Sequence, residues 1–174
     1  RVEDGVYDRG FTKRNKPEGD ALVAEVIRRL SDPSARKSSL GIVTFSNVQK
    51  DYIERRLTAA IAEKRLDGPA YDREEPIFVK NLENVQGDER DVILFSVCYG
   101  PDKQGRVSLN FGPLNQAGGW RRLNVAVSRA REEMVIFSSM TGAMIDLSKT
   151  GSKGVAGLKA FLEFAEKGRT TLAI

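Results

Sequence analysis

The stretch Arg121-Arg122-Leu123-Asn124-Val125-Ala126-Val127-Ser128-Arg129-Ala130-Arg131, followed closely by Met134-Val135-Ile136-Phe137, organises the chain. At 3.6 residues per turn, Leu123, Ala126 and Ala130 fall on one apolar face, while Arg122 and Arg129, seven positions apart, share another. The segment reads as a short helix presenting guanidinium groups and running into a buried strand. Arginine stays charged at any working pH and offers a rigid fork of donors that matches a phosphate, so the placement suits a fixed anion contact. A solvated basic helix face fits the same residues, and the helix alone does not choose.

Working outward, strands alternate with helices. Asn15, with Pro17 and Glu18 behind it, predicts a capped helix through Leu22, Val23, Val26, Ile27 and Leu30. Leu40 to Phe45 is a continuous apolar run suited to a strand buried on both faces. Ser46 and Gln49 predict a capping box that opens a second helix over Val48, Tyr52, Ile53, Leu57, Ala60 and Ile61. Ile77 to Lys80, Val92 to Tyr99 and Glu133 to Ser138 are further strands, Val2 to Asp8 a first one, and Val155 to Glu166 a last helix. Gly100 to Gly119, with five glycines and two prolines, reads as a long surface loop. The alternation predicts an α/β fold: a mostly parallel sheet with helices on both faces, in three layers. Ligands of such sheets meet the carboxyl ends of the strands. Thr44 to Gln49, Asn81 to Asp91 and the loop entering the Arg-rich helix are the stretches expected there.

Composition narrows the chemistry. The 174 residues suit one domain with a sizeable core, and 28 Lys+Arg against 24 Asp+Glu leave a net charge of +4, which permits a polyanionic partner without requiring one. There is no histidine, which excludes His-based triads and His metal sites within the chain. Cys98, alone in an apolar run, reads as a buried reduced thiol, and a cytoplasmic setting fits it. No apolar run approaches the roughly 20 residues of a membrane span, so no membrane partner is expected. The chain opens at Arg1 rather than methionine, as a fragment of a larger protein would.

Asn81-Leu82-Glu83-Asn84-Val85-Gln86-Gly87-Asp88-Glu89-Arg90-Asp91 is the second informative stretch. Gly87 permits a positive φ or a close backbone approach, and Asp88, Glu89 and Asp91 can accept from sugar hydroxyls or from Arg90. An ordinary charged turn has the same composition. Acid/base catalysis is disfavoured because nothing nearby is apolar enough to raise a carboxyl pKa. Ser34-Ala35-Arg36-Lys37 matches a Ser-x-x-Lys spacing without its companion motifs, a chance match. No glycine is followed by Lys-Ser or Lys-Thr, so a phosphate-cradling loop is absent and any triphosphate must be held mainly from outside the chain.

Together these stretches resemble the second RecA-like domain of superfamily 1 helicases, in the branch similar to the RNA-surveillance helicase of eukaryotes. A bacterial helicase-like subfamily carries the Asn81 to Asp91 string, the Phe111-Gly112-Pro113-Leu114-Asn115 string and a start similar to Gly5-Val6-Tyr7-Asp8-Arg9-Gly10. The resemblance covers nearly the whole chain. It implies that Thr44, Gln49 and Asn81 touch a nucleic-acid backbone. Thr44-Phe45-Ser46 departs from the family's usual Thr-Pro-Tyr, so only Thr44 and Gln49 carry over there. It implies that Gln86, Gly87 and Glu89 line a nucleotide, with Glu89 on the sugar, that Arg122 and Arg131 assist, and that Arg129 reaches the γ-phosphate of ATP. Further implications are a first RecA-like domain holding the Gly-rich loop and Mg²⁺, a single-stranded DNA or RNA track, and in some relatives a nuclease-like domain. The chain alone is then expected to be inactive. A degenerate module that binds nucleic acid or nucleotide without turnover is the alternative.

Overall fold

The computed structural model describes residues 1–167. α1 (Lys16–Ser31) starts where Asn15 accepts the amide hydrogen of Glu18, with proline in the first turn and Arg28 and Arg29 in the last. β1 (Leu40–Thr44) is buried at every position. Ser46 caps α2 (Asn47–Lys64) by accepting from the Gln49 amide at 3.2 Å. The reciprocal half of the capping box is missing, because the Gln49 side chain is drawn inward to Asn15 and Ser96. A short α3 (Asp67–Tyr71) leads to β2 (Phe78–Asn81), then follow β3 (Arg90–Ser96), α4 (Gly119–Val127), β4 (Ala130–Phe137) and α5 (Lys153–Lys167).

The four strands are all parallel, in the order β2-β1-β3-β4, with Thr44 level with Asn81 on one side and Ser96 on the other. Side chains alternate across the sheet. Ile42, Val92 and Leu94 pack with Leu22, Val26, Ile53 and Leu57 of α1 and α2, while Val43, Ile93 and Phe95 pack with Leu123, Ala126, Leu158 and Leu162 of α4 and α5. Each of these large aliphatic or aromatic side chains contributes roughly 1.5–3 kcal/mol by leaving water. The predicted three layers are therefore present, with one core on each face. Gly41 makes room at the sheet centre: a Cβ there would lie 2.5 Å from the Phe78 ring and 2.8 Å from Ile93, so those side chains would have to shift. No helix of the described residues is long and apolar enough to cross a membrane.

Three expectations need correction. Val2 to Asp8 is not a sheet strand: Val2 hydrogen-bonds the Ser138 carbonyl, and only Tyr7 is paired, in an isolated antiparallel bridge to Asn15. The Arg-rich helix stops at Val127, because the Ser128 hydroxyl and the Arg129 Nε both donate to the Val125 carbonyl and use up a last-turn acceptor. Arg129 thus follows the helix rather than sharing a face with Arg122, and Ala130 already belongs to β4. The stretch Gly100 to Gly119 is not all surface. Phe111 and Leu114 are fully buried, held by a 3₁₀ turn at Gly112–Asn115 in which the Asn115 side chain accepts from the Phe111 amide and donates to the Leu109 carbonyl.

Candidate functional site

In a parallel sheet every strand starts at one rim and ends at the other. Glu89, Arg90, Arg129 and Arg131 stand at or just before the starts of β3 and β4, the amino rim, whereas Thr44 and Asn81 close β1 and β2 at the carboxyl rim. From Arg90 to Ser96, the level of Asn81, is six residues of strand, or about 20 Å. The expectation that Asn81 to Asp91 lies wholly at a carboxyl end is therefore corrected, whereas the loop entering the Arg-rich helix does leave from the carboxyl end of β3. The 81–91 stretch travels from one rim to the other, and α4 with the residues just after it runs beside it, Arg122 pairing with Glu83 at 3.8 Å near one end and Arg129 with Glu89 at 3.7 Å near the other.

The amino rim is a lattice of exposed charges. The Arg129 guanidinium, whose side chain is 20% exposed, donates to the Val125 carbonyl at 2.9 Å and the Ser128 hydroxyl at 2.8 Å, with Glu89 beyond. Arg131 pairs with Glu75, with Asp91 at 3.0 Å and with Glu89 at 3.8 Å. Arg131 holds the Glu75 carboxyl below its usual range. Asp91 is lowered first by the Ser39 backbone N–H at 2.7 Å, then by the Ser39 hydroxyl and Arg131. Gly87 has a φ of 88° with open space where a side chain would stand, and Gln86 beside it is exposed, so this turn leaves backbone accessible to a ligand.

The carboxyl rim is the opposite: a buried network without a cation. Glu18, fully buried, accepts from the Ser96 hydroxyl at 2.7 Å, the Cys98 amide at 2.5 Å and the Asn15 side chain at 3.3 Å. Asn15 also donates to the Ser139 hydroxyl at 2.7 Å, and Gln49 bridges Asn15 and Ser96. Burial pushes Glu18 up to about 8 despite these donors, and burial followed by the Glu18 charge pushes the Cys98 thiol to about 12. Cys98 is buried and free, at a φ of 68°.

Several expected site residues are placed otherwise than read. Gln49 is fully buried with its amide committed to Asn15 and Ser96. Thr44 is equally buried and donates to the Ser46 carbonyl, while Asn81, 4% exposed, pairs with Asn47 and caps the amides of Glu83 and Asn84. These three side chains shape the strand-end loops instead. Arg122 turns to Glu83 and to the Pro113 and Ala117 carbonyls, apart from the Glu89 group. Glu89, Arg129 and Arg131 do gather at one rim, with Gln86 and Gly87 in the stretch that leads to it. Glu75 and Ser39 join them without any sequence signal, since each approaches from a connection distant in the chain. Glu18 was legible as a cap residue but not as a buried acid. Among the described residues no group of three or more His, Cys, Asp or Glu is placed to hold a metal ion.

Four parallel strands between paired helices, with a charged rim facing outward, make this a RecA-like domain of the P-loop NTPase type. The chain belongs to the AAA domain family, whose model it matches over residues 4–141, and it is a superfamily 1 helicase domain. It is 34% identical over 172 residues to an uncharacterized ATP-dependent helicase, MG140, of Mycoplasma genitalium, and 31% identical over 169 residues to the MG140 homolog of Mycoplasma pneumoniae. These matches cover 95% of the chain but 14% of each relative. The DNA replication ATP-dependent helicase/nuclease JHS1 of Arabidopsis thaliana is 22% identical over 125 residues, covering 72% of the chain and 8% of that protein.

Proposed function

We propose that this chain is the second motor lobe of an ATP-dependent superfamily 1 helicase or translocase. Its role is to lend Arg129 to a triphosphate gripped by a first RecA-like domain of the same protein. The observation that carries the reading is the amino rim. Arg129 stands there partly exposed, held by two neutral acceptors and one solvent-facing ion pair to Glu89, which lies two residues of chain beyond the open Gly87 turn. Such partners exchange readily for phosphate, which binds a guanidinium bidentately. Arg129 would neutralise charge on the transferred phosphoryl group, worth about 10³ to 10⁵ in rate, or roughly 4 to 7 kcal/mol. Glu89, relieved of Arg129, would accept from the sugar.

The nucleic-acid strand would pass the opposite rim, met by the exposed Asn47 and Asn84 and by loop backbone rather than by the buried Thr44, Gln49 and Asn81. Backbone contacts of this kind read phosphate positions and give motion with little sequence preference. The 81–91 stretch and α4 connect the two rims, so a pull on Arg129 is felt where the strand lies. The names of the relatives, ATP-dependent helicases in each case, support the same reading.

The decisive experiment is Arg129→Ala in the intact protein. Expected is a loss of ATP turnover of about 10³-fold or more, with single-strand affinity within a few fold of the parent. Near-normal turnover overturns the assignment. The chain expressed alone is expected to hydrolyse ATP no faster than background, since the triphosphate grip lies elsewhere.

A further inference from the structure

Two hairpin-like loops rise side by side from the carboxyl rim. The first, residues 8–14, is tied by Asp8, whose carboxylate accepts from the Thr12 amide at 3.0 Å and its hydroxyl at 2.7 Å, and whose backbone bonds Lys13 and Arg14. The second, residues 101–107, is tied by Asp102, which accepts from the amides of Gln104 and Arg106 at 2.9 and 3.0 Å. The Tyr7 amide donates to the Pro101 carbonyl at 2.9 Å and locks the loops together, leaving a polar cleft between them lined by Tyr7, Arg9, Lys103 and Arg106. At the tip of the first loop Phe11 is 89% exposed, the most exposed large hydrophobic side chain among the described residues.

That exposure is unusual for so ordered a turn. The loop holds Lys13 at a φ of 53°, an uncommon left-handed conformation for a residue with a side chain. Around the ring stand Arg9 and Lys13, which carry no ion pair among the described residues, and across the cleft Lys103 and Arg106. The two carboxylates nearby, Asp8 and Asp102, accept hydrogen bonds within their turns, which hold both below their usual range, and Asp102 also pairs with the exposed Arg106 side chain at 3.3 Å. The platform is continuous with the strand-end loops, because the Cys98 thiol touches the Lys13 carbonyl on one side and the Ser46 hydroxyl on the other.

We infer that these paired loops are a single-strand nucleic-acid platform, with Phe11 stacking on a base and Arg9, Lys13, Lys103 and Arg106 contacting the flanking phosphates. A ring on a rigid basic loop is the arrangement that grips a strand without reading its sequence, because every base has a π-face and every step a phosphate. The inference rests on the reading that a strand passes the carboxyl rim, and extends the track from Asn47 and Ser46 outward to Phe11.

The test measures binding of a fluorescein-labelled 15-nucleotide single strand to the intact protein by anisotropy, over a series of salt concentrations. Phe11→Ala, which removes an exposed ring and leaves the core untouched, should weaken binding about tenfold. Phe11→Trp should restore it and report the base by quenching of its emission. Arg9→Ala with Lys13→Ala should lower the salt slope by roughly 0.7 for each phosphate that is no longer neutralised. If the parent binds the strand but Phe11→Ala binds equally well, the platform is wrong and the wider reading stands. If the parent does not bind at all, both fall. If Phe11→Ala leaves strand binding intact but releases another protein or domain, the loops are a protein-docking surface and the inference is overturned.

Discussion

The two rims of one sheet treat polar side chains in opposite ways. At the amino rim the arginines and carboxylates are partly exposed and pair with one another, and the longer pairs of Glu89 with Arg129 and Arg131 can be traded for a ligand oxygen. At the carboxyl rim Glu18, Asn15, Gln49 and Ser96 are sealed from solvent and satisfied by one another, by the Cys98 amide and by the Ser139 hydroxyl. The difference teaches where rigidity and exchange reside: the sealed network fixes the loops at strand ends, and the open lattice is free to change partners.

The largest effect that can break this comparison is catalytic. Arg129→Ala should abolish most turnover in the intact protein, whereas Arg122→Ala, whose guanidinium faces Glu83 and two carbonyls, should stay within about tenfold, as expected for an exposed pair. Equal losses in a steady-state ATPase assay would mean that the two arginines work together and that the rims are not separate.

Stability comes next. Glu18→Ala strands the Ser96 hydroxyl, the Cys98 amide and the Asn15 side chain in the interior, and should cost about 2–4 kcal/mol in urea unfolding. Arg131→Ala, by contrast, removes only solvent-facing pairs and should shift the melting temperature by no more than a few degrees, an effect that fades in high salt.

The rims should also respond to pH with opposite signs. Glu18 is raised in the fold from 4.5 to about 8, so its contribution is complete below pH 4.5 and is lost as pH climbs through 8. Asp91 and Glu75 are lowered in the fold, so their contribution is present above their ordinary range and is lost as acid protonates them. Unfolding free energy compared across pH should therefore show Glu18→Gln flattening the alkaline side and Asp91→Asn flattening the acid side. The reverse assignment would exchange the roles of the rims. Smallest in consequence, Cys98 should resist iodoacetamide in the native protein and react only on unfolding, because burial keeps its thiol protonated.

The strands and helices were legible because their signals are local. A continuous apolar run marked β1, and the caps at Asn15 and Ser46 marked the starts of α1 and α2. Val2 to Asp8 misled because alternation over a few residues says nothing about whether a neighbouring strand is there to pair. Phe111 and Leu114 were hidden among glycines and prolines, since breakers describe the backbone and not where a ring is buried. At the site, the motif at Gln86 to Glu89 and the arginines at 129 and 131 were readable from residue type. The rim on which they stand was not, because a short spacing does not reveal that a loop crosses the whole sheet. Nor did any pattern foretell that Thr44, Gln49 and Asn81 spend their hydrogen bonds inward.

That crossing loop has a consequence for how the domain tolerates change. Its span is set by two turns, closed by the Asn84 amide on the Asn81 carbonyl and the Asp88 amide on the Val85 carbonyl, so it behaves as a connecting rod of fixed length. Adding or deleting one residue between Val85 and Glu89 would leave the chemistry at each extremity intact yet throw the two out of step. Variation in this domain should therefore favour replacing rod residues over changing their number.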